Sequence, residues 1–116
     1  MKVTKLEAAV MARLLANKKV GVIKKRINFD EVVVACRDFT GAGFMTEFTK
    51  SAELKLFTDG TSMRWGKVGA KLNSPSLESG YVLYIDNGYL TTLEGYTYGE
   101  EWPIEIDAID LYDLPE

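Results

Sequence analysis

The chemistry open to this chain is limited first by the absence of histidine from its 116 residues. Without His there is no Ser-His-Asp or Cys-His catalytic group, no histidine zinc ligand, and no side chain whose ordinary pKa lies near neutrality. The single cysteine, Cys36, can form neither an intramolecular disulfide nor a thiolate zinc site by itself. It ends the apolar run at residues 32–36, which favours a packing position over a reactive thiol.

Adjacent carboxylates at Glu100 and Glu101 come nearest to a pair of catalytic acids. Neighbouring loop residues point in different directions, whereas glycoside hydrolysis needs two carboxyl groups that face each other, so we interpret both as solvated loop acids. Glycine patterns at residues 41–43 and 66–69 resemble parts of nucleotide-binding and nucleic-acid-binding loops, but neither lies beside the helix that such loops require. The sequence therefore predicts no catalytic residue, no metal site and no cofactor, and we expect a protein that is not an enzyme.

The C-terminal third indicates a binding function, because aromatic and acidic side chains are interleaved there. Rigid aromatic anchors beside carboxylates suit an interface with a basic protein. The predicted partner-binding residues are Glu94, Tyr96, Tyr98, Glu100, Glu101 and Trp102. The alternative is that most of these rings form core contacts or cross-strand pairs.

The net charge of −3 conceals a strong asymmetry along the chain. All 14 Lys and Arg residues lie at or before Lys71, together with seven acids, whereas residues 72–116 contain ten acids and no base. Either the two parts neutralise each other within the domain, or the acidic part attracts a basic partner. A pI near 5.0 argues against nucleic-acid binding, so we interpret the basic run at residues 18–26 as a solvated edge.

The length and composition fit one globular domain spanning residues 1–116, with 47% hydrophobic residues. The first apolar stretch is interrupted by Glu7 and Arg13. We therefore expect no signal peptide, no membrane span and a cytoplasmic location.

One helix is predicted over residues 5–16. Thr4 and Glu7 have the spacing of a capping box, and Leu6, Val10 and Leu14 recur at helical intervals behind it. After the helix the hydrophobic period changes to two, in segments around residues 32–37, 44–48, 65–72, 81–85 and 109–112. The predicted fold is α+β: an N-terminal helix packed on an antiparallel sheet of about five or six strands.

The most specific local signal is Asn87-Gly88, which suits a type I′ turn at the centre of a hairpin. In a regular hairpin the facing pairs are Ile85 with Leu90, Leu83 with Thr92, Val82 with Leu93, and Tyr81 with Glu94. Leu90 and Leu93 then lie on opposite faces, or on the same face if a bulge intervenes near residues 91–92.

Two stretches carry a resemblance to a known group of proteins. Residues 37–48 contain the pattern R-x-F-T-G-x-G-F-x-T-x-F, and residues 86–103 contain D-x-G-x-L-x-x-L-E-x-Y followed by G-E-x-W-P. Both resemble elements of small bacterial proteins that are similar to immunity proteins encoded beside toxins. The resemblance covers roughly the last two-thirds of the chain and does not include the N-terminal helix.

The resemblance implies a non-catalytic immunity protein that blocks a cognate toxin domain, as in contact-dependent growth inhibition. The acidic C-terminal third indicates a basic toxin, and an exposed edge strand could support a homodimer. The alternative hypothesis is a small-ligand-binding or regulatory module with an aromatic-lined pocket.

Overall fold

The computed structural model describes residues 1–16 and 26–115. Within them one α-helix precedes six strands: α1 (Lys5–Ala16), β1 (Val34–Phe39), β2 (Gly43–Phe48), β3 (Met63–Leu72), β4 (Leu77–Asp86), β5 (Tyr89–Thr97) and β6 (Ile109–Asp113). Short 3₁₀ turns lie at Phe29–Glu31 and Ala52–Leu54. The predicted α+β fold is confirmed. The basic run at residues 18–26 lies outside the described residues except for Arg26.

Helix α1 begins at the predicted capping box. The Thr4 amide donates to Glu7 Oε1 at 2.8 Å, and the Glu7 amide donates to Thr4 Oγ1 at 3.1 Å. Leu6, Val10 and Leu14 lie four residues apart and are buried on one side of the helix. This apolar stripe packs on β3 and β4, so the helix covers one face of the sheet.

The sheet is antiparallel throughout and has the strand order β1-β2-β5-β4-β3-β6. Each of β1-β2, β3-β4 and β4-β5 is a local hairpin, whereas β5 pairs with β2 and β6 returns to pair with β3. Side chains on the face toward α1 form the core. Its sheet members include Phe44, Val68, Leu72, Tyr81, Leu83 and Leu93.

The β4-β5 hairpin has the predicted turn but not the regular register. Asn87 and Gly88 both have positive φ, at 49° and 85°, as a type I′ turn requires. Ile85 pairs with Leu90 as predicted. The other three predicted pairs are wrong, because the observed pairs are Leu83 with Leu93, Val82 with Glu94, and Tyr81 with Gly95.

A β-bulge at Thr91 explains this difference. Tyr84 pairs with Thr92 and the next pair joins residues 85 and 90, so one extra residue lies in β5. The Thr91 hydroxyl donates to the Tyr84 carbonyl at 3.3 Å and to Asp86 Oδ2 at 3.1 Å. Leu90 and Leu93 are consequently both buried on the core face, at 1% and 0% exposure, which confirms the bulged alternative.

A buried ion pair fixes the helix to the β1-β2 hairpin. The Glu7 carboxylate, with the residue 2% exposed, accepts hydrogen bonds from Arg37 Nε at 3.0 Å and Nη2 at 2.7 Å. The hydroxyl of Thr46, on the neighbouring strand, also donates to it. Burial raises the pKa of Glu7, but the bonds from Arg37, the Thr4 amide and Thr46 outweigh it, so the pKa is lowered.

Candidate partner-binding surface

The face of the sheet opposite α1 consists of side chains of the strands themselves, and it is called the open face below. Helix α1 and the 3₁₀ turn at Ala52–Leu54 place their buried side chains in the core on the other face. Alternation along the registered strands places every second residue on this open face. Its members include Asp38, Met45, Glu47, Arg64, Lys71, Glu78, Val82, Tyr84, Glu94, Tyr96, Asp110 and Tyr112.

Three tyrosines converge over a pair of glycines at the centre of the open face. Gly69 and Gly80 are direct partners across β3 and β4. A Cβ at Gly80 would lie 2.7 Å from Tyr96 and 2.9 Å from the Tyr98 hydroxyl, and one at Gly69 would lie 2.7 Å from the Tyr112 ring. The glycines therefore allow these side chains to lie directly on the backbone. The rings of Tyr96 and Tyr98 meet edge to face with centroids 5.6 Å apart, and with Tyr112 they form the tyrosine cluster.

Carboxylates of the open face are hydrogen-bonded to tyrosines. The Tyr84 hydroxyl donates to Glu94 Oε1 at 2.9 Å, and the Tyr112 hydroxyl donates to Glu78 Oε2. Burial and the Glu94 carboxylate raise the pKa of Tyr84, and the bond to Glu78 raises the pKa of Tyr112 to about 12. Arg64 lies over the Tyr84 ring, 5.0 Å from its centroid. These contacts hold the side chains in place before any partner binds, which lowers the entropic cost of binding.

The acidic loop after β5 is anchored to the β1-β2 turn. The Trp102 amide donates to the Gly41 carbonyl at 2.8 Å, and the Thr97 hydroxyl donates to the Glu100 carbonyl. Glu100 and Glu101 are exposed. These two exposed residues therefore lie in a loop that is hydrogen-bonded at both ends and that begins with Tyr98, directly after β5.

Trp102 lies apart from the other five predicted binding residues. Its ring packs edge to face on Phe44, with centroids 5.0 Å apart, and on Tyr81 at 6.4 Å. Both of those residues belong to the core face. Burial raises the pKa of Tyr81 to about 12, and its hydroxyl hydrogen-bonds to that of Ser79 at 2.9 Å. The structure thus brings Glu94, Tyr96 and Tyr98 together on the open face, leaves Glu100 and Glu101 exposed in the loop that follows β5, and packs Trp102 against the core.

Few of the described acids after residue 71 form a direct ion pair. Among the described residues, the ion pairs within 4.0 Å are Arg13 with Asp113 and Glu7 with Arg37. Only the first joins an acid after residue 71 to a base, and both of its side chains are largely exposed, at 41% and 60%. No other described acid of this third has a described Lys or Arg nitrogen within 4.0 Å, so within the described residues direct pairing does not neutralise it.

Sequence reasoning missed Glu78, Tyr84 and Tyr112 as members of this surface. Tyr112 lies in β6, which pairs with β3, so its approach to Glu78 spans 34 residues of sequence. Period-two alternation places each residue on a face within its own strand. Which strands are neighbours is a long-range property that this alternation does not encode.

Cys36 lies half-buried on the open face of β1 rather than in the core. Its thiol donates to Asp38 Oδ2 at 3.4 Å. This bond and the charge of Asp38 raise the pKa of Cys36, which disfavours the reactive thiolate at neutral pH. Across residues 1–16 and 26–115, no group of three or more His, Cys, Asp or Glu side chains is arranged to hold a metal ion.

A scan against protein-family models found no match, and searches of curated proteins and of solved structures found no significant match either. In the described part of the chain, no helix combines the length and the apolar character needed to cross a membrane.

Proposed function

We propose that this protein is a non-catalytic, cytoplasmic immunity protein that binds a cognate basic toxin domain of bacterial origin through the open face. The observation that carries the proposal is the tyrosine cluster, held in place beside carboxylates that have no direct cationic partner among the described residues. Tyrosines supply rigid contact area, and carboxylates that no described cation neutralises steer a cationic surface toward it. The sequence resemblance to toxin-neighbour immunity proteins supports the same function.

The proposed mechanism is occlusion of the toxin's cationic substrate site. The molecule measures 42 × 32 × 21 Å, so its broad side exceeds the roughly 800 Å² per partner of a typical specific interface. The partner-binding residues of the proposal are Glu94, Tyr96, Tyr98, Glu100 and Glu101. Trp102 acts indirectly in this scheme, because its packing on Phe44 holds the base of the acidic loop.

The first test is to purify the tagged protein from its host at low and at moderate salt and to identify co-purifying proteins by mass spectrometry. A stoichiometric basic partner that is lost as salt rises supports electrostatic recognition. Recovery of the protein alone, or only as its own oligomer, at both salt concentrations contradicts the proposal.

Matched charge variants then locate the interface on the purified partner. The double variant E100Q/E101Q removes two exposed acids from the proposed surface, and D30N/E31Q removes two exposed acids from the segment before β1. Both variants change the net charge equally, so a difference between them reports position rather than total charge. We expect association to slow by about tenfold for the first variant and by less than twofold for the second. Equal effects of the two variants would assign the interface elsewhere.

A second candidate function, a small-ligand-binding or regulatory module, is favoured by a groove on the helix-bearing side of the sheet. Its lining contains two phenylalanines, Phe39 and Phe44, among aliphatic side chains. A thermal-shift comparison distinguishes the two functions. A ligand-binding module gains stability with a small molecule, whereas an inhibitor gains it only with its protein partner.

A further inference from the structure

The groove lies where helix α1 begins, between β1 and the loop that leads into β6. It has a volume of about 260 Å³, close to the roughly 300 Å³ at which small-molecule sites begin. Its apolar lining comes from the helix, two strands, the loop and the start of β6: Leu6, Phe39, Phe44, Ile104, Ile106 and Ile109. The open face lies on the other side of the sheet, so this site is separate from the proposed toxin interface.

The rim of the groove exposes large apolar side chains. Ile104 is 102% exposed and Phe39 is 67% exposed, which makes them the two most exposed large hydrophobic residues of the described chain. Scattered apolar residues are ordinary on a protein surface, but two that flank one concavity mark a surface that a ligand can cover.

The charged groups of the lining favour an anion. Glu7 is saturated by its bonds to the Thr4 amide, Arg37 and Thr46, so it presents no free carboxylate to the groove. Arg37 Nη1, by contrast, has only the weak thioether acceptor of Met1 at 4.0 Å. Lys5 also lines the groove, and its ammonium has no hydrogen-bond or ion-pair partner among the described residues.

The net charge of the lining is therefore +1, from Lys5, Arg37 and Glu7, in a protein whose net charge is −3. Two donors without strong acceptors lie beside an apolar concavity, which matches a molecule with one carboxylate and a short apolar body.

We propose that this groove binds a small monocarboxylate with an aliphatic or aromatic body. The carboxylate accepts hydrogen bonds from Lys5 Nζ and Arg37 Nη1, and the apolar body contacts Ile104, Ile106 and Phe39. This binding is independent of the toxin interface.

The test uses hexanoate and phenylacetate as probes, and hexanamide as a neutral probe of the same shape as hexanoate. Binding is followed in the full chain by backbone amide NMR shifts, with the expected changes at Leu6, Phe44 and Ile106. At this ligand size we expect dissociation constants on the order of 1 mM for the acids and about tenfold weaker binding of the amide.

Three variants test the location of the site, and none of them breaks the Glu7–Arg37 pair. Lys5→Gln should weaken hexanoate binding by roughly threefold to fivefold, the size of one exposed ion pair, and Lys71→Gln on the open face should leave it unchanged. Ile104→Glu places a carboxylate on the exposed rim and should weaken acids more than hexanamide.

Three results would each overturn the proposal. The first is the absence of NMR shifts at the Leu6, Phe44 and Ile106 amides at probe concentrations up to about 20-fold above the expected dissociation constant of about 1 mM. The second is equal affinity for hexanoate and hexanamide. The third is an equal effect of Lys5→Gln and Lys71→Gln on hexanoate binding. Because none of these measurements involves a toxin, their outcome is separate from that of the proposed function.

Discussion

Replacing Glu7 by Gln tests whether the buried ion pair stabilises the contact between the helix and the β1-β2 hairpin. Gln can still cap the helix, since either residue closes a capping box. It cannot, however, reproduce the carboxylate that accepts two bonds from Arg37 and one from Thr46. The amide group instead presents an N–H donor toward these donors and leaves the guanidinium, at 16% side-chain exposure, without a counter-charge.

Losing two charge-assisted hydrogen bonds in a buried setting should cost about 3–5 kcal/mol of unfolding free energy. With an unfolding entropy of about 2.1 cal/mol/K per residue, the 116-residue chain should lose about 12–20 °C in Tm. Urea unfolding at pH 7 measures the free energy. The matched control is Asp113→Asn, which breaks the exposed pair with Arg13 and should lower the free energy of unfolding far less than Glu7→Gln, because solvent screens that pair.

The pH dependence of the free energy of unfolding gives an independent measure of how much the Glu7–Arg37 pair stabilises the fold. Folding lowers the pKa of Glu7 below its ordinary value of 4.5, so the ion pair contributes its full stability above that pH. That contribution is lost as the pH falls through the folded-state pKa. The gap in stability between the wild-type protein and Glu7→Gln should therefore be constant near neutrality and narrow below pH 4.5. A loss under 1 kcal/mol at pH 7, or a gap that does not narrow, would refute the reasoning.

Further predictions test the turns, the bulge and the tyrosine cluster. Gly88→Ala should lower the free energy of unfolding in urea by about 3 kcal/mol or more, because its φ is +85° and a Cβ would lie 2.3 Å from a carbonyl oxygen. Gly41→Ala is the control: its φ is +82° but no atom lies within 4 Å of the added Cβ, so the loss should be about 1–2 kcal/mol. Leu93→Ala should lower the free energy of unfolding by about 2–5 kcal/mol and Thr92→Ala by less than about 1 kcal/mol, because only Leu93 lies on the core face. Similar losses for the two variants would contradict the bulged register. Gly80→Ala should displace two tyrosine hydroxyls and reduce partner affinity about tenfold in calorimetry, while unchanged affinity would exclude the tyrosine cluster from the interface.

The features that the sequence predicted correctly depend on contacts within a few residues. Thr4 and Glu7 close a hydrogen-bonded ring over three residues, and Asn87-Gly88 supplies the positive φ that its turn needs. Alternation within each strand likewise depends only on backbone geometry. These local causes account for the helix bounds, the central hairpin and the α+β class.

The register of the β4-β5 hairpin could not be predicted from contacts within a few residues. A regular strand and a bulged strand satisfy the same turn, and burial of Leu93 opposite Leu83 decides between them. That burial depends on a core that Leu93 shares with Leu6 and Val10 of the helix and with Val68 of β3, all far away in sequence. The direction of Trp102 has the same kind of cause, because Phe44 and Tyr81 offer its ring a place on the core face.

The sequence by itself determined the composition of the candidate surface: an acidic third without a single base, rich in tyrosine, in a chain without histidine. Only the tertiary structure decided which of these side chains meet. Pairing of β6 with β3 and of β3 with β4 brings Tyr112 beside Glu78, and the facing glycines at positions 69 and 80 admit the tyrosine rings. The physical reason is that charge and side-chain type belong to each residue alone, whereas strand neighbours are chosen by burial of a core shared by the whole chain.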